Sequence, residues 1–239
     1  MGLAPGYEGV YTGTRWRIQA KTFWGVDSVQ SITQSFLDQI RTTYGSPDFF
    51  GRYLGGRYGM TADEVALAQR NGIKILVVDQ SFGPTYNPLT EYSAGEAAAR
   101  KAISNAEALG IPNGVAIFAD IEIQSNIAAP WIQGWFDTLA SSIYKPGFYS
   151  DTIEGGFSDA YCQAVRNNSN VGTSIIWSNE PPLDRTTKAN APAFAPTGPD
   201  CNAQVLGWQY GIAPNEDPPN VDTNLVLSWS RCIGKSGKY

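Results

Sequence analysis

The 239-residue chain contains no histidine. That excludes Ser-His-Asp and Cys-His triads and the usual imidazole-built zinc sites. Cysteine is scarce as well: Cys162, Cys201 and Cys232 stand far apart, with no CxxC pair. This spacing fits no metal or redox motif. One disulfide with a spare thiol and three reduced thiols both stay open. Positive charge is thin, with 17 Lys and Arg against 22 Asp and Glu and a net charge of −5. The lone basic concentration is the tail from Lys235 to Lys238. Phosphate backbones demand clustered cations, so no nucleic-acid partner is expected. No apolar run approaches the ~18 residues of a membrane span. Residues 1–22 lack the apolar core of a signal peptide. No GxGxxG or P-loop follows an apolar run, which argues against a nucleotide site. The expectation is a protein without cofactor or metal.

What remains is a globular composition, 42% hydrophobic and 16% charged, able to bury a large core. Residues 1–22 show no period and read as an irregular lead-in. From residue 23 to 239 the chain alternates. Short β-rich or continuous apolar runs occupy residues 23–29, 49–56, 73–80, 115–122, 145–151, 173–179, 204–211 and 221–227. Helical spacing occupies residues 31–45, 61–72, 93–109, 131–143 and 157–168. Thr61 and Glu64 stand at capping-box spacing, and Gly134 interrupts one helix. Residues 180–200, rich in Pro, Ala and Thr, read as a long loop. Strand–helix alternation implies right-handed βαβ units and a parallel sheet. Seven or eight strands in one domain predict an α/β fold of the single (β/α) TIM-type barrel kind, irregular towards its C-terminal end.

Such barrels place their chemistry at the C-terminal ends of the strands. The predicted ends carry Asp27, Arg52 beside Tyr53, Asp79, Asp120 with Glu122, Tyr149, Trp177, Trp208-Gln209-Tyr210 and Asp222. Aspartate is rare in strands, so its recurrence there is informative, although each Asp could equally cap the next helix. Asp120 and Glu122 are the sharpest pair. Side chains two apart share a face of a strand, with backbones about 7 Å apart, and Ile121 then points into the helix layer. Two carboxylates so close discourage each other's ionisation, which leaves a protonated acid beside an ionised partner. Glycosidic cleavage uses that combination. Aromatic rings at the same ends suit the apolar faces of sugars, while Trp131 and Trp135, on a helix, suit core packing.

The runs WGVDSVQS, FGRYLGG, VVDQ and LGIPNGVAIFADIE resemble the glycoside-hydrolase-like domain once called domain of unknown function 1906. That family is similar to the lysozymes of glycoside hydrolase family 25. Those share an Asp closing the first strand, an Asp-x-Glu closing a middle strand, and Gln-Tyr followed by Val-Asp-x-Asn near the end. Here these are Asp27, Asp120 with Glu122, Gln209-Tyr210 and Val221-Asp222-Thr223-Asn224. The resemblance implies Glu122 as general acid/base and Asp120 orienting an acetamido group or stabilising positive charge. It implies Asp27 and Asp222 as tuning groups that hold sugar hydroxyls, and Tyr149 as a further stabiliser of charge. The implied partner is the glycan strand of peptidoglycan or a related β-1,4-linked N-acetyl sugar polymer, cleaved with retention by a monomer that is secreted or associated with the cell envelope. Arg52, Asp79, Trp177, Trp208, Gln209 and Tyr210 complete the expected substrate-binding set. Two other readings compete: a non-catalytic carbohydrate-binding or cell-envelope module on the same barrel, and a different barrel enzyme, such as an isomerase or a metal-dependent hydrolase whose metal would be held by carboxylates.

Overall fold

A computed structural model describes residues 7–11, 16–80, 88–122, 126–214 and 218–227, with side chains from residue 21 onward. The lead-in is not irregular throughout: β1 (Tyr7–Tyr11) and β2 (Trp16–Ala20) pair as a separate antiparallel ribbon. Then follow β3 (Phe23–Asp27), α1 (Gln34–Thr43), β4 (Phe49–Tyr53), α2 (Ala62–Arg70) and β5 (Lys74–Asp79). Next come α3 (Tyr92–Ala108), β6 (Ala116–Ile121), α4 (Ala129–Ala140), β7 (Lys145–Ser150) and α5 (Phe157–Asn167). The last described elements are β8 (Ile175–Ser178), β9 (Gln204–Gly211) and β10 (Asp222–Val226). Strands β3 to β10 close a barrel in the order β10-β3-β4-β5-β6-β7-β8-β9.

Neighbours from β3 to β9 are parallel, joined through helices as far as β8 and by a long loop from β8 to β9. The last strand departs from this rule: β10 is antiparallel to both β9 and β3. Only residues 212–221 join β9 to β10, fewer than a crossover with its helix needs. The reversal puts the start of β10, and not its end, at the mouth of the barrel. Asp222 therefore stands directly opposite Asp27.

Alternation along each strand sorts the core into two shells. Phe23, Phe49, Leu76, Val78, Ala116, Phe118, Ile175, Trp177 and Val226 fill the barrel. Val77, Ile117, Ile121, Phe148 and Ile176 meet the helices outside it. Trp131 and Trp135 belong to this outer shell, stacked at 5.7 Å between centroids. The helix caps are local: Thr33 caps α1, and Thr61 with Glu64 forms the predicted capping box on α2. Asp27, Asp79 and Asp120 cap no described helix.

The long loop takes the place of a helix. Residues 179–203 contain one short turn of 3₁₀ helix, Lys188–Asn190. Pro181 accepts a bond from the Trp208 indole, Phe194 packs edge-on to Trp208, and Thr186 bonds the Tyr210 hydroxyl. A Cys162–Cys201 disulfide ties the end of this loop to α5. Cys232 lies outside the described residues.

Candidate active site

The mouth of the barrel holds a cavity of about 260 Å³. Asp27, Glu122, Tyr149, Trp177, Gln209 and Asp222 line it, together with Gly51, Tyr53 and Val78. Six of the residues singled out from the sequence thus converge from β3, the end of β6, β7, β8, β9 and β10. Asp120 lies on the same face of β6 as Glu122, but deeper, only 2% exposed and outside the lining. Ile121 between them packs into the helix layer, as alternation demands.

Four other candidates lie elsewhere. Arg52 sits on the outer face of β4, buried, donating to Glu64 at 2.9 and 3.1 Å and to the Ser28 carbonyl at 2.9 Å. It fastens β4 to α2 and to the segment after β3. Asp79 shares the parity of Val77, which packs outward, and is buried away from the lining. Trp208 and Tyr210 also face outward, into the cluster beneath the long loop, where Tyr210 accepts the Trp24 indole N–H at 3.0 Å. Loop 179–203 is apolar cover for β9, so the two largest side chains of that strand turn towards it. Gln209 between them turns inward.

Two site residues were passed over. Tyr53 shares its strand face with Phe49, a core residue, and parity alone would have chosen it over Arg52. Asn224 was visible only as the last letter of a motif. It is fully buried and joins Trp177 to Asp27.

Hydrogen bonds organise the acids. Gln209 Nε2 lies between Asp27 Oδ2 at 2.9 Å and Asp222 Oδ2 at 3.3 Å, while its Oε1 accepts from the Tyr149 hydroxyl at 2.7 Å. The Ala213 amide donates to Asp222 Oδ1 at 2.6 Å. Gln80 donates to Asp120 Oδ2 at 2.9 Å, and Asp120 Oδ1 is buried without a hydrogen-bond partner. Among the described residues no Lys or Arg lines the cavity.

Acids crowded together and largely buried keep their protons to higher pH than usual. Burial, then the charge of Asp222, pushes Asp27 up to about 7, against the Gln209 and Asn224 amides that pull it down. Burial and then Glu122 raise Asp120 well above the carboxylate range, with the Tyr53 hydroxyl opposing. Burial raises Glu122, partly offset by Asp120, and burial raises Asp222 against the Ala213 amide and Arg185. Burial first, then the neighbouring carboxylates, raises Tyr53 and Tyr149, so both act as neutral phenols. Such a site can give and take a proton near neutral pH and can hold hydroxyls, without a metal. Among the described residues no group of three or more acidic or cysteine side chains is arranged to hold one.

The sequence matches a known family. The Rv2525c-like, glycoside hydrolase-like domain matches residues 46–197, well over half of the chain. The chain belongs to this family. A crystal structure of an uncharacterized B. stearothermophilus protein superposes with a TM-score of 0.82 at 36% identity, covering 88% of this chain and 99% of that one. The Mycobacterium tuberculosis Tat-secreted protein Rv2525c, in complex with L-tartrate, superposes with a TM-score of 0.58 at 19% identity, covering 88% of this chain and 98% of that one. Its complex with HEPES gives 0.57 at 20% identity, with the same coverage. No curated protein sequence matches significantly. The barrel fold is shared with these structures, and the mouth carboxylates of this chain lie at the strand ends, where (β/α) barrels place their active sites.

Proposed function

We propose that the chain is a glycoside hydrolase that cleaves β-1,4-linked N-acetyl sugars, in peptidoglycan or a related glycan, with Glu122 as general acid/base. One observation carries the reading: Glu122 stands on the wall of a sugar-sized hollow with Asp120 directly behind it, and burial raises both acids. Glu122 gives its proton to the bridging oxygen as the bond to the anomeric carbon breaks. Asp120 orients the acetamido group or, when ionised, stabilises the positive charge that develops on the sugar ring, and Asp27 holds a ring hydroxyl. Water then adds to the anomeric carbon and returns a proton to Glu122, leaving a new reducing end. Asp222, Gln209 and the phenols Tyr53 and Tyr149 hold ring hydroxyls. At ~260 Å³ the cavity is below the usual 300–1,000 Å³ of ligand pockets, so a polymer enters by one ring and continues over the rim. Val29 and Ile212, both exposed and both lining the cavity, offer apolar surface there. The Cys162–Cys201 disulfide supports action outside the reducing cytoplasm.

The test is reducing-end release from peptidoglycan, chitin and an α-glucan. Glu122→Gln, with unchanged fold, is expected to lower the rate by about 10²–10⁴-fold, as loss of a general acid does. Unchanged turnover in that variant rejects the assignment. The burial of Asp120 behind the lining favours a second reading, a carbohydrate-binding module without turnover. That reading expects calorimetric binding of the same glycans, no reducing ends, and binding by Glu122→Gln equal to the parent.

A further inference from the structure

The amide groups around Asp27 have only one consistent orientation. The Trp177 indole N–H can donate but not accept, and it points at 3.0 Å to Asn224. The atom it meets must be the Asn224 carbonyl oxygen. The Asn224 nitrogen therefore faces Asp27 Oδ2, at 2.6 Å, and its second hydrogen reaches the Asp222 carbonyl at 3.3 Å. Gln209 is fixed by similar logic. Its nitrogen end lies between two carboxylates, and its oxygen accepts from Tyr149. Asp27 Oδ2 consequently accepts two N–H groups, both from side chains at least 97% buried. Among the described residues Asp27 Oδ1 has no hydrogen-bond partner and is not shut away from the cavity that Asp27 lines.

We propose that Asn224 is a positioning residue for Asp27: oriented by Trp177, it saturates Oδ2 together with Gln209 and leaves Oδ1 as the one oxygen that Asp27 turns to a ligand. A proton on Asp27 can then sit only on Oδ1. Protonated, Asp27 donates to a sugar hydroxyl; ionised, it accepts from one. Asn224 thus fixes both the aim of Asp27 and the pH at which its hydrogen-bonding sense reverses. Asp222 from β10, Asp120 from β6, Tyr53 from β4 and Tyr149 from β7 also face Asp27. Arg185 acts on Asp222 from the long loop. The ligand-facing role rests on the reading of this cavity as the sugar site; the orientation of Asn224 does not.

The test is a titration without turnover. In the intact protein, with carboxyl carbons and side-chain amides isotopically labelled, the Asn224 amide protons should shift with the same midpoint as the Asp27 carboxyl. An Asn224 amide that ignores the ionisation of Asp27 overturns the proposal. In Asn224→Leu the lost donor should raise the Asp27 midpoint by about one pH unit, the size expected for one hydrogen bond to a charged group. Trp177→Phe keeps the ring but removes the N–H, so the freed amide should raise the midpoint in the same sense by a smaller amount. A merely structural Asn224 would leave Asp27 unmoved in Trp177→Phe, and that result also overturns the proposal. If turnover is absent but these shifts appear, the fault lies with the hydrolase reading and not with the role of Asn224.

Discussion

Arg52 shows how one side chain can look like a substrate-binding group in a sequence and be structural in the fold. A buried guanidinium is tolerated only when its donors are satisfied and its charge is met. Here Glu64 accepts from Nε and Nη2, and the Ser28 carbonyl accepts from Nη1. Glu64 has further duties: its Oε1 accepts the Ile32 amide at 2.8 Å, and its Oε2 accepts the Thr61 amide at 2.9 Å. Removing one partner leaves the other charge buried and alone. Arg52→Met should therefore cost about 3–5 kcal/mol in urea unfolding, while Arg52→Met with Glu64→Gln together should cost less than Arg52→Met alone. Glycan binding at the cavity should persist in either variant that folds. A cost below about 1 kcal/mol for Arg52→Met would show that the pair is not buried as described.

At the scale of elements, α3 and α4 carry glycines that a single-sequence reading counts against a helix. A Cβ at Gly134 would overlap the Tyr92 carbonyl, and one at Gly95 would overlap the Trp131 carbonyl. The two helices meet backbone to backbone, and glycine is what permits it. In an isolated helix Gly→Ala gains ~1 kcal/mol. Here Gly134→Ala should instead lose roughly 1–3 kcal/mol through overpacking, measured as a lower urea midpoint; a higher midpoint would mean the helices stand further apart. The same contrast explains what was legible. Strand and helix positions follow from local periodicity, so the barrel and the Asp120–Glu122 face could be read directly. The direction of β10 depends on the length of the connection before it. The aim of Trp208 and Tyr210 depends on loop 179–203, which covers β9 from outside without any periodicity of its own. Tyr53 was legible in principle, since Phe49, Gly51 and Tyr53 share one parity, but Arg52 drew attention by its charge. Asn224 could be given a role only once the barrel had closed and brought β8, β10 and β3 together.

At the scale of the whole molecule, the site contributes to the pH dependence of stability. Asp27 titrates near 7 in the folded chain against an ordinary 3.8, chiefly through burial and Asp222. Asp120, Glu122 and Asp222 are raised as well, each chiefly by burial. Between the ordinary and the raised values the folded chain keeps protons that the unfolded chain has released. Unfolding then loses protons, so stability falls as pH rises through that window. For Asp27 alone the window runs from 3.8 to about 7, and the loss can reach roughly 4 kcal/mol at ~1.4 kcal/mol per unit. The carboxylates of this cavity thus work against the fold at neutral pH and favour it in mild acid. The melting temperature should be higher near pH 5 than near pH 8. Asp27→Asn, of the same shape but without the charge, should flatten that decline and melt above the parent at pH 8 while nearly matching it at pH 4. A parent whose melting temperature climbs from pH 5 to pH 8, or a variant with the parent's slope, would show that Asp27 is not held, partly buried, among acids at the mouth of the barrel.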